Sequence, residues 1–341
     1  MRLKIVKKKI KLYEDEFYNL MSEIPNLLSD YTPEGNKYQD NIVIEKYDKP
    51  FYYNLDQKLL FHWELGSKYD ILDFKSSSKI TGNGFVVYKK QGALLQRALI
   101  NFFLDSAIKN GYKEINVPLL VNSRSAWNTG QIPDKNSQMY HLKDDDYYLI
   151  PTSEIPLINL YSNNTIPFEN LPVKLTAISS CFRREAGSYG RNTKGLNRLH
   201  EFFKVELVKI TSQETSEFYL NLMLKYVKNI LNELQLPYRV LLLCSGELNN
   251  TSSLTYDIEV YSIKQKKWLE VSSISNCLTY QSNRSNIFYK ENKIKKLAHT
   301  INGSGLALPR IMAAILENNQ SNNGIIIPKC LTKYTNFSII K

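Results

Sequence analysis

Cysteine is scarce in this chain of 341 residues: Cys181, Cys244, Cys277 and Cys330 stand far apart, with no Cys-x-x-Cys pair and no histidine at a metal-ligand spacing. That excludes a disulfide framework and the common zinc sites, and leads us to expect a reduced, cytoplasmic protein. Histidine is equally rare, at positions 62, 141, 200 and 299. No uninterrupted apolar run approaches the roughly 20 residues that a membrane-spanning helix needs. The basic start, Met1 to Lys11, has its apolar residues broken by lysines and lacks the core of a signal peptide. No internal repeat, no low-complexity tract, no GxxxxGK[ST] loop and no GxGxxG after a strand is present.

What is present is a core and a positive charge. Hydrophobic residues make up 43% of the chain, enough to bury a sizeable interior. Lysine and arginine number 44 against 33 acidic residues, a net +11 that favours an anionic partner, nucleic acid being the commonest. A drift in codon usage that inflates lysine, asparagine, isoleucine and tyrosine would give the same balance, and the 23 tyrosines against 14 phenylalanines fit it. Residues 1 to 48 are basic and then loop-like, broken by Pro25, Pro33 and Gly35, and read as a stub and linker. From residue 49 to 341 strand and helix signals alternate as one domain, of mixed α/β (α+β) class.

Apolar residues at 95, 98, 99, 102 and 103 predict an amphipathic helix. Tyr112 to Val121, with Pro118 inside it, predicts an exposed or edge strand. Ala177 to Glu185 and Phe202 to Ile210 predict two strands joined by a long loop that Gly187, Gly190 and Gly195 punctuate. Leu308, Ile311, Met312, Ile315 and Leu316 predict a buried helix whose first turn takes Pro309.

Because residues two apart on a strand share a face, Arg183 lies with Glu185, and Phe202 lies with Lys204 and Glu206. Phe203, Val205 and Leu207 then form an apolar opposite face fit to pack on helices, leaving the charged face for a ligand. A salt-bridged face turned to solvent would show the same alternation.

The run from Cys181 through Arg183, Arg184 and Glu185 to Leu199-His-Glu-Phe202-Phe-Lys-Val-Glu206 resembles the second signature motif of the seryl-tRNA synthetases, which are class II aminoacyl-tRNA synthetases. Asn302-Gly-Ser-Gly-Leu-Ala-Leu-Pro-Arg310 resembles their third. The similarity continues through His62-Trp-Glu-Leu-Gly66, Thr129-Gly-Gln-Ile-Pro133, Pro151-Thr-Ser-Glu154, Tyr256-Asp-Ile-Glu259 and Glu270-Val-Ser-Ser273. Each piece alone is weak; seven in the family's order make coincidence implausible. Neither the HIGH nor the KMSKS signature of class I synthetases occurs.

The resemblance implies the class II catalytic fold, a mostly antiparallel sheet flanked by helices. It implies that ATP and L-serine are joined as seryl-adenylate with release of pyrophosphate, and that serine then passes to the 3′ end of tRNA(Ser). By position, Arg183 would bridge the serine carboxylate and the α-phosphate, Arg310 would hold the far phosphates, and Phe202 would stack on adenine. Arg184, Glu185, Leu199, Val271 and Ser272 would complete the ATP site, and Glu270 with Ser273 would hold Mg2+. A strict strand puts 270 and 273 on opposite faces, so this assignment requires a bulge or a strand end. Thr152, Ser153, Glu154, Arg183, Glu206, Asn302 and Ser304 would bind serine. A carboxylate is already the nucleophile, so no general base is needed and the four histidines are expected to be structural. The family is dimeric through its first motif, matched here by Gly111 to Val121; neither a membrane nor DNA is expected as a partner.

The family also carries a long coiled-coil arm before the catalytic domain. Too few residues precede Ile24 to build two long helices, and Met1 to Lys11 shows no sustained heptad, so the arm is expected to be missing or reduced. Arg2, Lys4, Lys7, Lys8, Lys9 and Lys11 would then contact tRNA phosphates in its place. Other departures are Glu201 for glutamine, Ile274 for cysteine, and Asn249-Asn250 in the loop 247 to 253. Two rivals stay open: an armless ligase that loads an amino acid onto a carrier protein, and a non-catalytic paralogue that keeps the fold.

Overall fold

The computed structural model describes residues 2–48, 58–134, 137–185 and 194–341. The elements that matter for the site are, in chain order, α1 (Arg2–Glu23), β1 (Ile42–Tyr47), α2 (Lys90–Lys109), β2 (Lys113–Glu114), β3 (Val173–Phe182), β4 (Glu201–Thr211), α3 (Ser216–Leu234), β5 (Tyr238–Leu242), β6 (Leu254–Ser262), β7 (Lys267–Asn276), β8 (His299–Ala307) and α4 (Leu308–Asn318).

The eight strands form one sheet in the order β1-β5-β6-β7-β8-β4-β3-β2. Every neighbouring pair is antiparallel except β2 with β3. One face is covered by α2, α3 and α4. Val205 and Leu207 from β4, Ile258 from β6, Ile274 from β7 and Ile301 from β8 are fully buried there. They meet the buried Ile311, Met312, Ile315 and Leu316 of α4, and the α2 stripe at 95, 98, 99, 102 and 103 is buried as well. Apolar side chains on one face of the central strands thus leave the other face free to be polar.

Two expectations are corrected. The strand expected over Tyr112 to Val121 is cut to Lys113–Glu114, and Leu120–Asn122 pairs in a separate small sheet. Pro118 lies in the break, where it has no N–H to give to a ladder. The strand expected to reach Glu185 ends at Phe182, and Glu185 has a left-handed backbone (φ +47°), so period-two alternation does not govern residues 183 to 185. Two of the three glycines expected in the following loop, Gly187 and Gly190, lie outside the described residues.

The amino terminus, read as stub and linker, contains regular structure. Residues 2 to 23 form one helix, and Ile42–Tyr47 adds an edge strand to the main sheet beside β5. Between them the chain is tied to the body: the Asn26 amide donates to the carbonyls of Thr251 (2.9 Å) and Cys277 (2.8 Å), and the Thr32 hydroxyl donates to Ser253 O (2.8 Å). The expected division after residue 48 lies just beyond this strand of the main sheet. Among the described residues no helix is long and apolar enough to cross a membrane.

Candidate functional site

On the polar face of the sheet, Lys204 and Glu206 of β4 stand beside Ser304 and Asn302 of β8, since Glu206 pairs with Ser304 and Val208 with Asn302. The row continues onto β7 and β6, where Asp257 pairs with Ser273. Along the same ladder Ile258 faces Ser272 but Glu259 faces Glu270, so Val271 is an extra residue on β7. This is the bulge that the Glu270 and Ser273 assignment required. It returns both side chains to one face, the face that Asp257 shares.

Arg183, Glu185, Leu199, Phe202, Glu270, Val271, Ser272, Ser304 and Arg310 all line one cavity over this face, enclosing about 520 Å³ including its open mouth. The Arg183 guanidinium lies 5.3 Å from the centre of the Phe202 ring, a cation–π contact that orients it. Arg310, in the first turn of α4, is braced by two backbone carbonyls. Its Nε donates to Asn197 O (3.1 Å) and its Nη1 to Glu270 O (2.6 Å), with the Glu270 carboxylate 3.6 Å away. Glu185 is paired with Arg198 at 3.1 Å. Arg184 is exposed and is not among the lining residues.

Leu196, Asn197, Arg198 and Lys204 also line the cavity; of these only Lys204, on the charged face, was anticipated. The first three belong to the turn that leads into β4. His62 fixes that turn: its Nε2 accepts the Leu196 N–H (2.8 Å) while its Nδ1 meets Glu317 (2.7 Å). Gly195, with φ +73°, is needed there because a Cβ would collide with the His62 ring. Only the assembled tertiary contact reveals this role, since nothing in the local pattern marks it.

Next to the cavity lies a buried polar network. The Thr152 hydroxyl donates to Glu206 (2.7 Å), and Lys204, itself ion-paired with Glu206, donates to Thr152 (3.0 Å). Ser153 meets Ser179 at 2.9 Å. Glu154 accepts from Gln281 at 2.6 Å and is also bonded by Asn302. Burial, reinforced by the negative charge of Glu206, pushes the Glu154 carboxyl up to about 7; the Gln281 bond only partly offsets this. Gln281 was missed by sequence reading, which had no way to bring residue 281 beside residue 154.

Asp257 was missed as well. Its Oδ1 is buried and has no hydrogen-bond partner, while the carboxylate is bonded by Ser273. Burial first, and the charge of Glu270 second, hold its pKa well above the ordinary range. Among the described residues no group of three or more His, Cys, Asp or Glu is arranged to hold a metal ion by itself. Of the histidines, His62 and His299 sit in structural contacts. The His299 ring is bonded to Ser216 (2.8 Å), and burial holds its pKa down at about 4.

A polar sheet face that brings two arginines, an aromatic ring and two carboxylates around one cavity is what the class II synthetase reading requires. The description "tRNA synthetase class II core domain (G, H, P, S and T)" matches residues 138–319. The serine–tRNA ligase of Salinibacter ruber is 45% identical over 324 residues, which is 94% of this chain and 75% of that protein. The chain belongs to the serine–tRNA ligase family. Among solved structures, the seryl-tRNA synthetase of Pyrococcus horikoshii, complexed with ATP, superposes with a TM-score of 0.94 at 30% identity, covering 99% of this chain and 80% of that one. The cytoplasmic serine–tRNA ligase of Naegleria fowleri, in complex with AMP, gives 0.92 at 25% identity, covering 99% and 81%. As a member of this family the chain is an ATP-dependent ligase of class II, with the mostly antiparallel sheet that the class shares.

Proposed function

We propose that the two halves of this polar face divide the work of a serine–tRNA ligase: the open cavity takes ATP, and the buried Thr152, Glu154 and Glu206 network takes L-serine. The observation that supports this most strongly is that Arg183, Phe202, Glu270 and Arg310, which come from four different segments, converge on one cavity beside that network. In this reading Phe202 stacks on adenine, and Arg183 draws the serine carboxylate and the α-phosphate together. Both anions need a fixed, permanently charged donor to approach each other. Arg310, held by two carbonyls, meets the outer phosphates without having to reorganise. The serine carboxylate attacks the α-phosphorus, pyrophosphate leaves, and a terminal ribose hydroxyl of tRNA(Ser) then takes the seryl group, losing its proton to the adenylate phosphate. No side-chain base is needed.

Glu270 and Ser273, with Asp257 behind them, suit a hard cation that completes its shell with phosphate oxygens, because the donors are all oxygen and one buried carboxylate oxygen is unpartnered. Magnesium bound there would offset phosphate charge. The scarcity of protein ligands accords with a metal that arrives with the nucleotide.

Selectivity follows from burial. A pocket built to bond a hydroxyl leaves its own polar groups unpaired when alanine enters, which costs on the order of a thousandfold or more. Residues 49–341 carry the catalytic domain in this reading, with 24–48 joined to it. A homodimer through the 111–121 region is part of the same proposal, and β2 ends the sheet, with no strand beyond it among the described residues. Free cysteines throughout the described chain accord with a reducing, cytoplasmic setting. The test is exchange of pyrophosphate into ATP with serine, threonine, alanine and glycine compared, followed by charging of serine tRNA. Exchange with serine far above the other three is expected; its absence from pure protein would overturn the reading.

A further inference from the structure

Helix α1 carries a feature that catalysis does not use. Leu3, Val6, Ile10, Tyr13, Phe17 and Leu20 recur at alternating spacings of three and four, so they form one stripe along the helix. All six are exposed, Leu3 at 70%, Ile10 at 50% and Leu20 at 63%. In proteins most of a helix's stability comes from packing its amphipathic face rather than from propensity, so an exposed stripe along 22 residues calls for a covering partner. Charge is segregated along it as well: Lys4, Lys7, Lys8, Lys9 and Lys11 occupy the first half, and Glu14, Glu16 and Glu23 the second.

We propose that this stripe is covered by α1 of a second copy of the chain, packed antiparallel. In that arrangement Leu3 meets Leu20 of the second copy, Val6 meets its Phe17, and Ile10 meets its Tyr13. Each contact occurs twice because the interface is two-fold symmetric. The residues flanking the seam decide the direction. An antiparallel pair sets Lys9 opposite Glu16 of the second copy and Lys7 opposite its Glu14, four opposite-charge contacts in all. A parallel pair would lay the lysine-rich half of one helix beside the same half of the other. A nucleic acid on the basic half would not reach the exposed Tyr13 and Leu20 in the second half, so it does not account for the stripe.

The charge pattern supplies the test. Lys9→Glu turns both Lys9 contacts repulsive, and self-association measured by sedimentation over a wide concentration range should weaken about tenfold. Adding Glu16→Lys in the same chain should restore it, which a parallel pair would not do. Oxidising a chain carrying both Lys9→Cys and Glu16→Cys should give a covalent dimer on a non-reducing gel, while either substitution alone should not. This readout holds whether the two helices belong to one catalytic dimer or to two. A double variant that stays monomeric on the gel would overturn the proposal. So would single variants that cross-link equally well, or a Lys9→Glu loss that Glu16→Lys does not repair.

Discussion

The two halves of the polar face are built in opposite ways. On the proposed nucleotide side the cations are part-exposed and braced against backbone: Arg310 between Asn197 and Glu270 carbonyls, Arg183 over the Phe202 ring. On the proposed serine side Lys204, Glu206, Thr152 and Glu154 are all less than a tenth exposed and bonded to one another. A large anion that must enter and leave suits fixed charges facing an open cavity. A small amino acid that must be told from its neighbours suits buried groups that suffer when left unpaired.

Removing a charge from each side measures that difference. Arg183→Ala should lower kcat/KM for serine-dependent pyrophosphate exchange about a thousandfold, about 4 kcal/mol, with little change in melting temperature, because the arginine is proposed to act on the reacting phosphate. Glu206→Ala should do the reverse in kind. It leaves Lys204 charged and buried beside Thr152 alone, so unfolding by denaturant should show a loss of about 3 kcal/mol. If Glu206→Ala left stability intact, the serine side would not be the self-supporting network described.

A third, comparable effect is pH dependence. The Glu154 carboxyl is raised to about 7 in the folded protein, against about 4.5 for the unfolded chain. Between those values the native state holds a proton that the unfolded state has lost. The stability is therefore fully present below about pH 4.5, is lost as pH rises to about 7, and amounts to about 3 kcal/mol. His299, depressed to about 4, contributes with the opposite sign between about pH 4 and 6.5. Comparison with Glu154→Gln isolates the Glu154 contribution, and that variant should lose the downward slope. Serine's ammonium would favour the ionised Glu154, so the KM for serine should fall as pH rises through about 7 in the parent and stay flat in the variant.

The smallest expected effect lies on β6, behind Glu270 and Ser273. Asp257→Asn should raise the magnesium concentration needed for half-maximal exchange roughly tenfold, and weaken manganese binding to the ATP-bound enzyme by calorimetry to the same degree. Unchanged metal affinity would mean that the unpartnered Asp257 oxygen has no part in the metal site.

Much of this geometry was legible in the sequence because strand alternation is rigid. Val205 and Leu207 on one face and Lys204 and Glu206 on the other follow from period two, and the central strands keep it. The α2 and α4 stripes were legible for the same reason at period 3.6. Alternation failed at Arg183 to Glu185, where the strand has ended. It was ambiguous at Glu270 to Ser273, where the chemistry implied a bulge that period alone could not locate. The roles of Asn197, Gln281 and Asp257 were not legible, because each acts through a partner 113 or 127 residues away or in a neighbouring strand. The α1 stripe was missed because eleven residues are too short a window for a seven-residue repeat; over Leu3 to Leu20 the pattern is plain.

By itself the sequence determined which side chains share a face and that two arginines, a ring and an acidic pair stand in a synthetase's order. Local backbone periodicity sets the first, and the motifs carry the second. The tertiary structure alone decided that these segments meet over one cavity, that residues 42 to 47 close the sheet, and that Glu154 lies buried against Glu206. Those outcomes depend on long-range strand pairing and on desolvation, which no stretch of neighbouring residues encodes.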